Sequence, residues 1–303
     1  YTGRKAIGNH SKDVLMLLQS EILRIAEKEG VPPDTIDKNW VLGHFLAILF
    51  EEKWARENLI FKGGTCLKKC YFEKYRFSED LDFTLKNKDL QITNRMLQSV
   101  CDTVTGKVGI LFSKVKVEPI NWKNKQVGYK TKIKFWGANH KNNQQPPAAQ
   151  RWQTEFKIEI VHYEKLVNNP VYKPLLSTYS DSGVFVSQTI PCYPLVEIIG
   201  EKLRALLQRS YPAPRDYYDI WKLLKQPELL EDWNLIVKTF LQKTAFKHIT
   251  FNDYSDFFNN KRINKMKKEW DHSLRGHLRE EDFPDVNQII HELETVFQRM
   301  NWH

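Results

Sequence analysis

Two aspartates one residue apart, in Asp80-Leu81-Asp82, open a stretch in which Leu81, Phe83 and Leu85 alternate with polar residues. In a strand of period two, Asp80, Asp82 and Thr84 share one face while the apolar residues pack on the core. Like charges held side by side repel, so a divalent cation is the physical reason to keep both ionised, and hard oxygen ligands suit Mg2+ or Mn2+. Upstream stands Lys62-Gly63-Gly64-Thr65, with fifteen residues between Gly64 and Asp80. Gly63 and Gly64 permit close approach of the backbone to a ligand, their N–H groups can cradle phosphate, and Thr65 adds a hydroxyl. Taken singly, Gly-Gly is also a plain turn and Asp-x-Asp a solvated strand face.

Three further groups extend the constellation. In Phe156-Lys157-Ile158-Glu159-Ile160 the alternation puts Glu159 opposite the apolar residues, either as a third carboxylate or as an exposed acid beside Lys157. Three acids on neighbouring strands can hold two metal ions. Lys202 projects between Ile198, Ile199 and Leu206 on a helical stripe. It needs a triphosphate oxygen or a carboxylate as partner unless its stem snorkels to water. Arg215-Asp216-Tyr217-Tyr218-Asp219 opens a helix after Pro212 and Pro214, where Asp216 serves the site, the helix N-cap, or both, and Asp219 lies at the edge.

The elements that must position these groups are legible as periodicities. Helices are expected over 12–28, 34–56, 65–74 and 88–107, and from Pro194 nearly to the end. Strands are expected at Leu59–Phe61, around Leu81–Leu85, and over Phe112–Glu118, Tyr129–Trp136 and Glu155–Val161, with an exposed loop over 137–150. A length of 303 residues suggests two domains, a first over 1–190 and a helical second over 191–303 that contributes to the site.

Composition narrows the classes. Hydrophobic residues make up 41%, enough for a real core. Absence of an apolar run near the ~20 residues that span a bilayer, and of a signal-peptide core, points to a cytoplasmic protein with no membrane partner. Lys and Arg number 46 against 37 Asp and Glu, a net charge of +9 that favours polyanions. Cys66, Cys70, Cys101 and Cys192 form no C-x-x-C pair, and read as reduced packing residues rather than a zinc or disulfide framework.

Lys62-Gly63-Gly64-Thr65 with Arg76-Phe77-Ser78-Glu79-Asp80-Leu81-Asp82, then Glu201-Lys202-Leu203-Arg204-Ala205-Leu206 and Arg215-Asp216-Tyr217-Tyr218-Asp219, resembles the AbiEii/AbiGii toxin family of nucleotidyltransferases. The resemblance covers roughly residues 34–225. It implies an α+β, DNA polymerase β-like nucleotidyltransferase fold, a mixed sheet with flanking helices followed by a helical C-terminal lobe. It implies Asp80 and Asp82 as metal ligands; the third, Glu159, comes from the strand alternation and stands where the superfamily commonly has Asp. Gly63, Gly64 and Thr65, with Lys202 and Arg204, would contact the NTP, and Asp216 would complete the site. The setting implied is toxin–antitoxin and abortive-infection defence, with a cognate antitoxin, and some members of the family modify tRNA.

For an acceptor, Lys114 and Lys116 on one strand and Lys130, Lys132 and Lys134 on another offer a basic sheet surface, with Trp122 or Tyr129 for stacking. Edge-strand lysines that prevent sheet association are the alternative. The tail cluster Lys261, Arg262, Lys265, Lys267 and Lys268 reads as a solvated helix face. Metal-dependent transfer of NMP from an NTP to RNA, tRNA foremost, is the function expected. Its rivals are protein nucleotidylation, kinase-like attack on the γ-phosphate, and RNA binding without catalysis.

Overall fold

Leu81, Phe83 and Leu85 are buried, and their alternation does form a strand. The computed structural model describes residues 17–141, 144–181, 183, 189–229 and 232–302. Among these the strands are β1 (Leu59–Lys62), β2 (Asp80–Leu85), β3 (Leu111–Phe112), β4 (Glu118–Trp122), β5 (Lys125–Trp136), β6 (Glu155–Val161), β7 (Val171–Pro174) and β8 (Thr189–Cys192). They make one mixed sheet in the order β3-β5-β6-β2-β1-β8-β7, with β4 hairpinned onto β5. β2 runs antiparallel to β1 and parallel to β6, so the carboxylate strand is central and both of its edges are paired.

Helix α1 (Gln19–Glu29) ends at Gly30 in the left-handed conformation, as its glycine predicts, while residues 12–16 of the expected helix lie outside the described residues. Helix α2 (Pro33–Leu49) is buried on nearly every side, the mark of a helix at the centre of a core. Phe45 of α2 meets Phe156 of β6 edge to face, with centroids 5.3 Å apart. The expected helix over 34–56 is therefore two, because the chain breaks at Phe50 and resumes as α3 (Lys53–Asn58). The one expected over 65–74 is a short α4 (Gly63–Cys66) continued by a π-helical turn, Leu67–Tyr71. Helix α5 (Asn94–Val108) starts six residues later than expected, where the Thr93 hydroxyl caps Met96 N.

One strand expectation fails. Val115 and Val117 alternate with Lys114 and Lys116, but residues 113–117 form no strand. Their amides are taken by α5 side chains instead: Val115 N donates to Gln98 Oε1 at 2.9 Å and Val117 N to Asn94 Oδ1 at 2.8 Å. The pairing lies further on, in a β4–β5 hairpin turned by Lys123 and Asn124, both with positive φ (48° and 61°). Such a two-residue turn matches the twist of the strands.

After β8 come α6 (Leu195–Gln208), α7 (Pro214–Leu223), α8 (Trp233–Phe246), α9 (Asn260–Leu274) and α10 (Val286–Arg299). The expected boundary at 190–191 falls inside β8, which pairs with β1 and β7. α9 buries Ile263, Met266, Trp270 and Leu274, leaving Lys261, Lys265, Lys267 and Lys268 in solvent. Among the described residues no helix is long and apolar enough to cross a membrane.

Candidate active site

β1 delivers the chain into the glycine turn with Gly63 at φ +81°, a conformation that a side chain disfavours. Space forbids one as well. A Cβ on Gly63 would stand 2.4 Å from Asp82 Oδ2, and one on Gly64 would stand 2.8 Å from Arg76 Nη2 and 2.9 Å from Ser78 Oγ. The turn is thus closed against the carboxylate strand and against the segment that leads into it. Thr65 fixes the same junction: it is buried, and its hydroxyl donates to the Asp80 carbonyl at 2.5 Å. That bond orients the main chain of the first aspartate.

In register, Asp82 is flanked by Lys62 of β1 and Glu159 of β6, with Lys130 of β5 beyond Glu159. Two residues away along β2, Asp80 neighbours Lys157, with Lys132 beyond it. Partners in register share a face of the sheet, so these residues lie together on the face opposite the aromatic core. Asp80, Asp82 and Glu159 enter no ion pair among the described residues. Burial, together with the charges of Glu159, Asp80 and Glu201 and against that of Lys62, pushes the Asp82 carboxyl up to about 7. Three carboxylates on adjoining strands, none tied up in an ion pair, are a donor set that fits a hard divalent cation. They form an open array rather than a closed cage, since the trio of ligand side chains within 4.8 Å of one another among the described residues is made of cysteines.

The array floors a cavity of about 520 Å3, a size within the range of small-molecule sites. α6 and α7 form its far wall. Lys202 is buried, and its Nζ meets Asp216 Oδ1 at 2.9 Å and Asp219 Oδ2 at 2.7 Å, so its partner is carboxylate. Asp219 is fully buried and also receives Arg76 Nε and Nη2, each at 2.6 Å, and the Tyr75 hydroxyl at 3.1 Å. Burial opposes its charge, but Arg76 and Lys202 outweigh it and hold the carboxyl down at about 2. Asp216 lines the cavity and is further paired with Arg209. The N-cap reading for Asp216 is corrected: the cap position belongs to Ala213, and Asp216 sits inside the first turn.

α6 carries two more charged contacts toward the sheet. Glu201 Oε1 accepts from Lys62 Nζ at 2.7 Å, and Arg204 donates to Glu164 at 3.0 Å and to Gln208 at 2.5 Å. Behind them Lys243 of α8, fully buried, lies 2.7 Å from Glu197, 3.4 Å from Glu201 and 3.6 Å from Glu164.

A glycine turn, an Asp-x-Asp strand and a lysine–aspartate pair on following helices, in this order, lie within one family match. Residues 44–292 match the profile of the family described as nucleotidyl transferase AbiEii toxin, type IV TA system. The chain belongs to this family of nucleotidyltransferase toxins. Among solved structures it is similar to MenT4, a nucleotidyltransferase toxin from Mycobacterium tuberculosis H37Rv, at 17% identity and TM-score 0.58, covering 91% of this chain and 99% of that one. A putative nucleotidyltransferase from H. pylori is also similar, at 17% identity and TM-score 0.48, covering 84% of this chain and 91% of that one. No curated protein matches. The fold is that of the nucleotidyltransferase toxins, a mixed sheet with flanking helices and a helical carboxyl-terminal region.

In this AbiEii-family chain the basic surface is only partly the one expected. Lys116, Lys130, Lys132 and Lys157 border a groove of about 390 Å3 that Glu159 shares with the main cavity. Lys116 and Lys132 are exposed and paired with Glu118 at 3.0 Å and Glu155 at 3.2 Å. Lys134 lies outside the groove and donates to the Gln150 carbonyl at 2.9 Å, and Lys114, exposed on the 113–117 connection, lines neither cavity. The single strand face expected to carry Lys114 and Lys116 does not exist. Trp122 reaches the main cavity and stacks on Tyr163, with centroids 5.3 Å apart, whereas Tyr129 does not line it. Sequence reasoning passed over Arg76, Glu201 and Lys157 as site groups, and left Asp219 at the edge of its helix beside Asp216. The signals are plain only in retrospect: Arg76 stands four residues before the Asp-x-Asp motif, Glu201 precedes Lys202, and Lys157 alternates with Glu159.

Proposed function

We propose that this toxin moves a nucleoside monophosphate from an NTP to a hydroxyl of an RNA acceptor, tRNA foremost, in a reaction dependent on Mg2+ or Mn2+. The observation that carries this reading is the row of unpaired carboxylates, Asp80, Asp82 and Glu159, lying between a cationic cavity wall and the lysines of the same sheet face. Asp80, Asp82 and Glu159 would hold the metal, which when bound neutralises phosphate charge and activates the attacking oxygen. Gly63 and Gly64, which line the cavity, would offer main-chain N–H groups to the triphosphate. Lys202, held between Asp216 and Asp219, and Arg204, two residues further along α6, both line the cavity and would bring positive charge toward the phosphates. Thr65 acts by positioning Asp80. The stacked Trp122 and Tyr163 rings give a base an aromatic surface.

The acceptor backbone would follow Lys116, Lys130, Lys132 and Lys157. An activity on NTP and RNA would belong in the cytoplasm, with a cognate antitoxin as the partner that restrains it. The test is incubation with each NTP labelled at the α-phosphate, a divalent metal, and total tRNA or protein extract. Label on RNA that disappears with chelator supports the proposal, and label confined to protein replaces its acceptor.

A further inference from the structure

The four cysteines divide in the fold. Cys101 is buried on α5, apart from the other three. Cys66 at the end of α4, Cys70 in the π-helical turn and Cys192 at the end of β8 converge, with their Sγ atoms all within 4.8 Å of one another. Residues four apart share a helical face, and the pairing of Phe61 with Cys192 brings β8 beside the strand that feeds α4. All three thiols are buried and none is in a disulfide.

We propose that Cys66, Cys70 and Cys192 form a binding site for a soft, thiophilic cation, copper(I) or zinc(II), separate from the hard-ligand carboxylate site. Sulfurs bound about 2.3 Å from one ion and spread evenly around it stand about 4 Å apart, inside the separation found here. Thiolates select copper(I) and zinc over magnesium and manganese. The charge balance fits as well: Lys69, held by Asn39 Oδ1 at 2.9 Å, and Lys173, over the Tyr71 ring at 4.9 Å, both bring positive charge to Cys70. Binding releases the three thiol protons to solvent and changes the oxidation state of neither ion. Among the described residues no further His, Cys, Asp or Glu ligand atom joins the three. That number suits three-coordinate copper(I), while zinc takes solvent as its fourth ligand. Because Cys66 follows Thr65 directly, a bound ion would tie the segment after the glycine turn to β8.

The test uses the full chain, reduced, stripped of metal and kept free of oxygen. It is titrated with copper(I) and, separately, with cobalt(II) as the spectroscopic substitute for zinc. The proposal expects one equivalent of one of these ions to bind, with a thiolate-to-metal charge-transfer band and a rise in Tm that excess Mg2+ neither produces nor prevents. Uptake of copper(I) alone assigns copper, and cobalt(II) replaced by zinc assigns zinc. Cys70→Ser and Cys192→Ser should lose the band while Cys101→Ala keeps it, with circular dichroism reporting the fold of each. Absence of stoichiometric binding by the folded wild-type chain overturns the proposal whatever the variants do. So does a band that survives in folded Cys192→Ser or vanishes in folded Cys101→Ala.

Discussion

The Asp82 carboxylate shares its sheet face with Asp80 and Glu159, while Lys62 spends its ammonium on Glu201. Its pKa of about 7 in the folded chain lies above the ordinary carboxylate value, so its contribution to stability is fully present below about 4 and is lost as the pH rises through about 7. Asp82→Asn removes that loss. In metal-free protein it should raise Tm at pH 8 by about 2–4 °C and change little at pH 5, while cutting transferase activity at least about 100-fold. Thermal melts at the two pH values, with and without Mg2+, check this, and added Mg2+ should stabilise the wild type more than the variant. Asp219 has the opposite sign. Its depressed carboxyl contributes stability above about 4 that is lost as the pH falls through about 2. Asp219→Asn leaves buried Arg76 and Lys202 short of a counter-charge, and urea denaturation should show a loss of about 3–5 kcal/mol.

At the scale of elements, the proposed acceptor surface is one face of β5 and β6, where Lys130 and Lys132 lie in register with Glu159 and Lys157. Replacing Lys130, Lys132 and Lys157 by Glu should weaken RNA binding and flatten its salt dependence, by about 0.7 in slope for each single-strand phosphate that the protein no longer neutralises. NTP binding measured by calorimetry should stay near the wild-type value. Equal RNA affinity across the salt series would reject this face. The alternation that exposes it was legible in β2 and β6 because their apolar residues face a single core and the period is strict. It misled at residues 113–117, where Asn94 and Gln98 occupy the amides that a neighbouring strand would need. The β4–β5 hairpin went unread because Lys123-Asn124 lacks the glycine that usually marks such a turn. Of the two rings offered for stacking, Trp122 is the one that this hairpin carries to the cavity. Lys202 was legible as a buried lysine needing a partner. Its pairing with Asp219, and that of Arg76 with the same acid, joins segments too distant in sequence for any local period to connect.

Across the whole molecule, the carboxyl-terminal helices complete the site rather than decorate it. α6 supplies Glu201 to Lys62 and Lys202 to the cavity, and α7 supplies Asp219 to Arg76. A chain ended at residue 190 would cut β8 and leave Lys62, Arg76 and the β1 edge without partners. Such a fragment should show no cooperative unfolding transition, where the full chain shows one. The central claim is that this assembled cavity directs attack on the α-phosphate. It is tested most directly with an NTP labelled distinguishably at the α- and γ-phosphates, incubated with tRNA, metal and either wild-type toxin or Asp80→Ala/Asp82→Ala. The account predicts α-label joined to the RNA and γ-label released as pyrophosphate by the wild type alone. Transfer of γ-label with release of NDP, or transfer undiminished in the double variant, would contradict it.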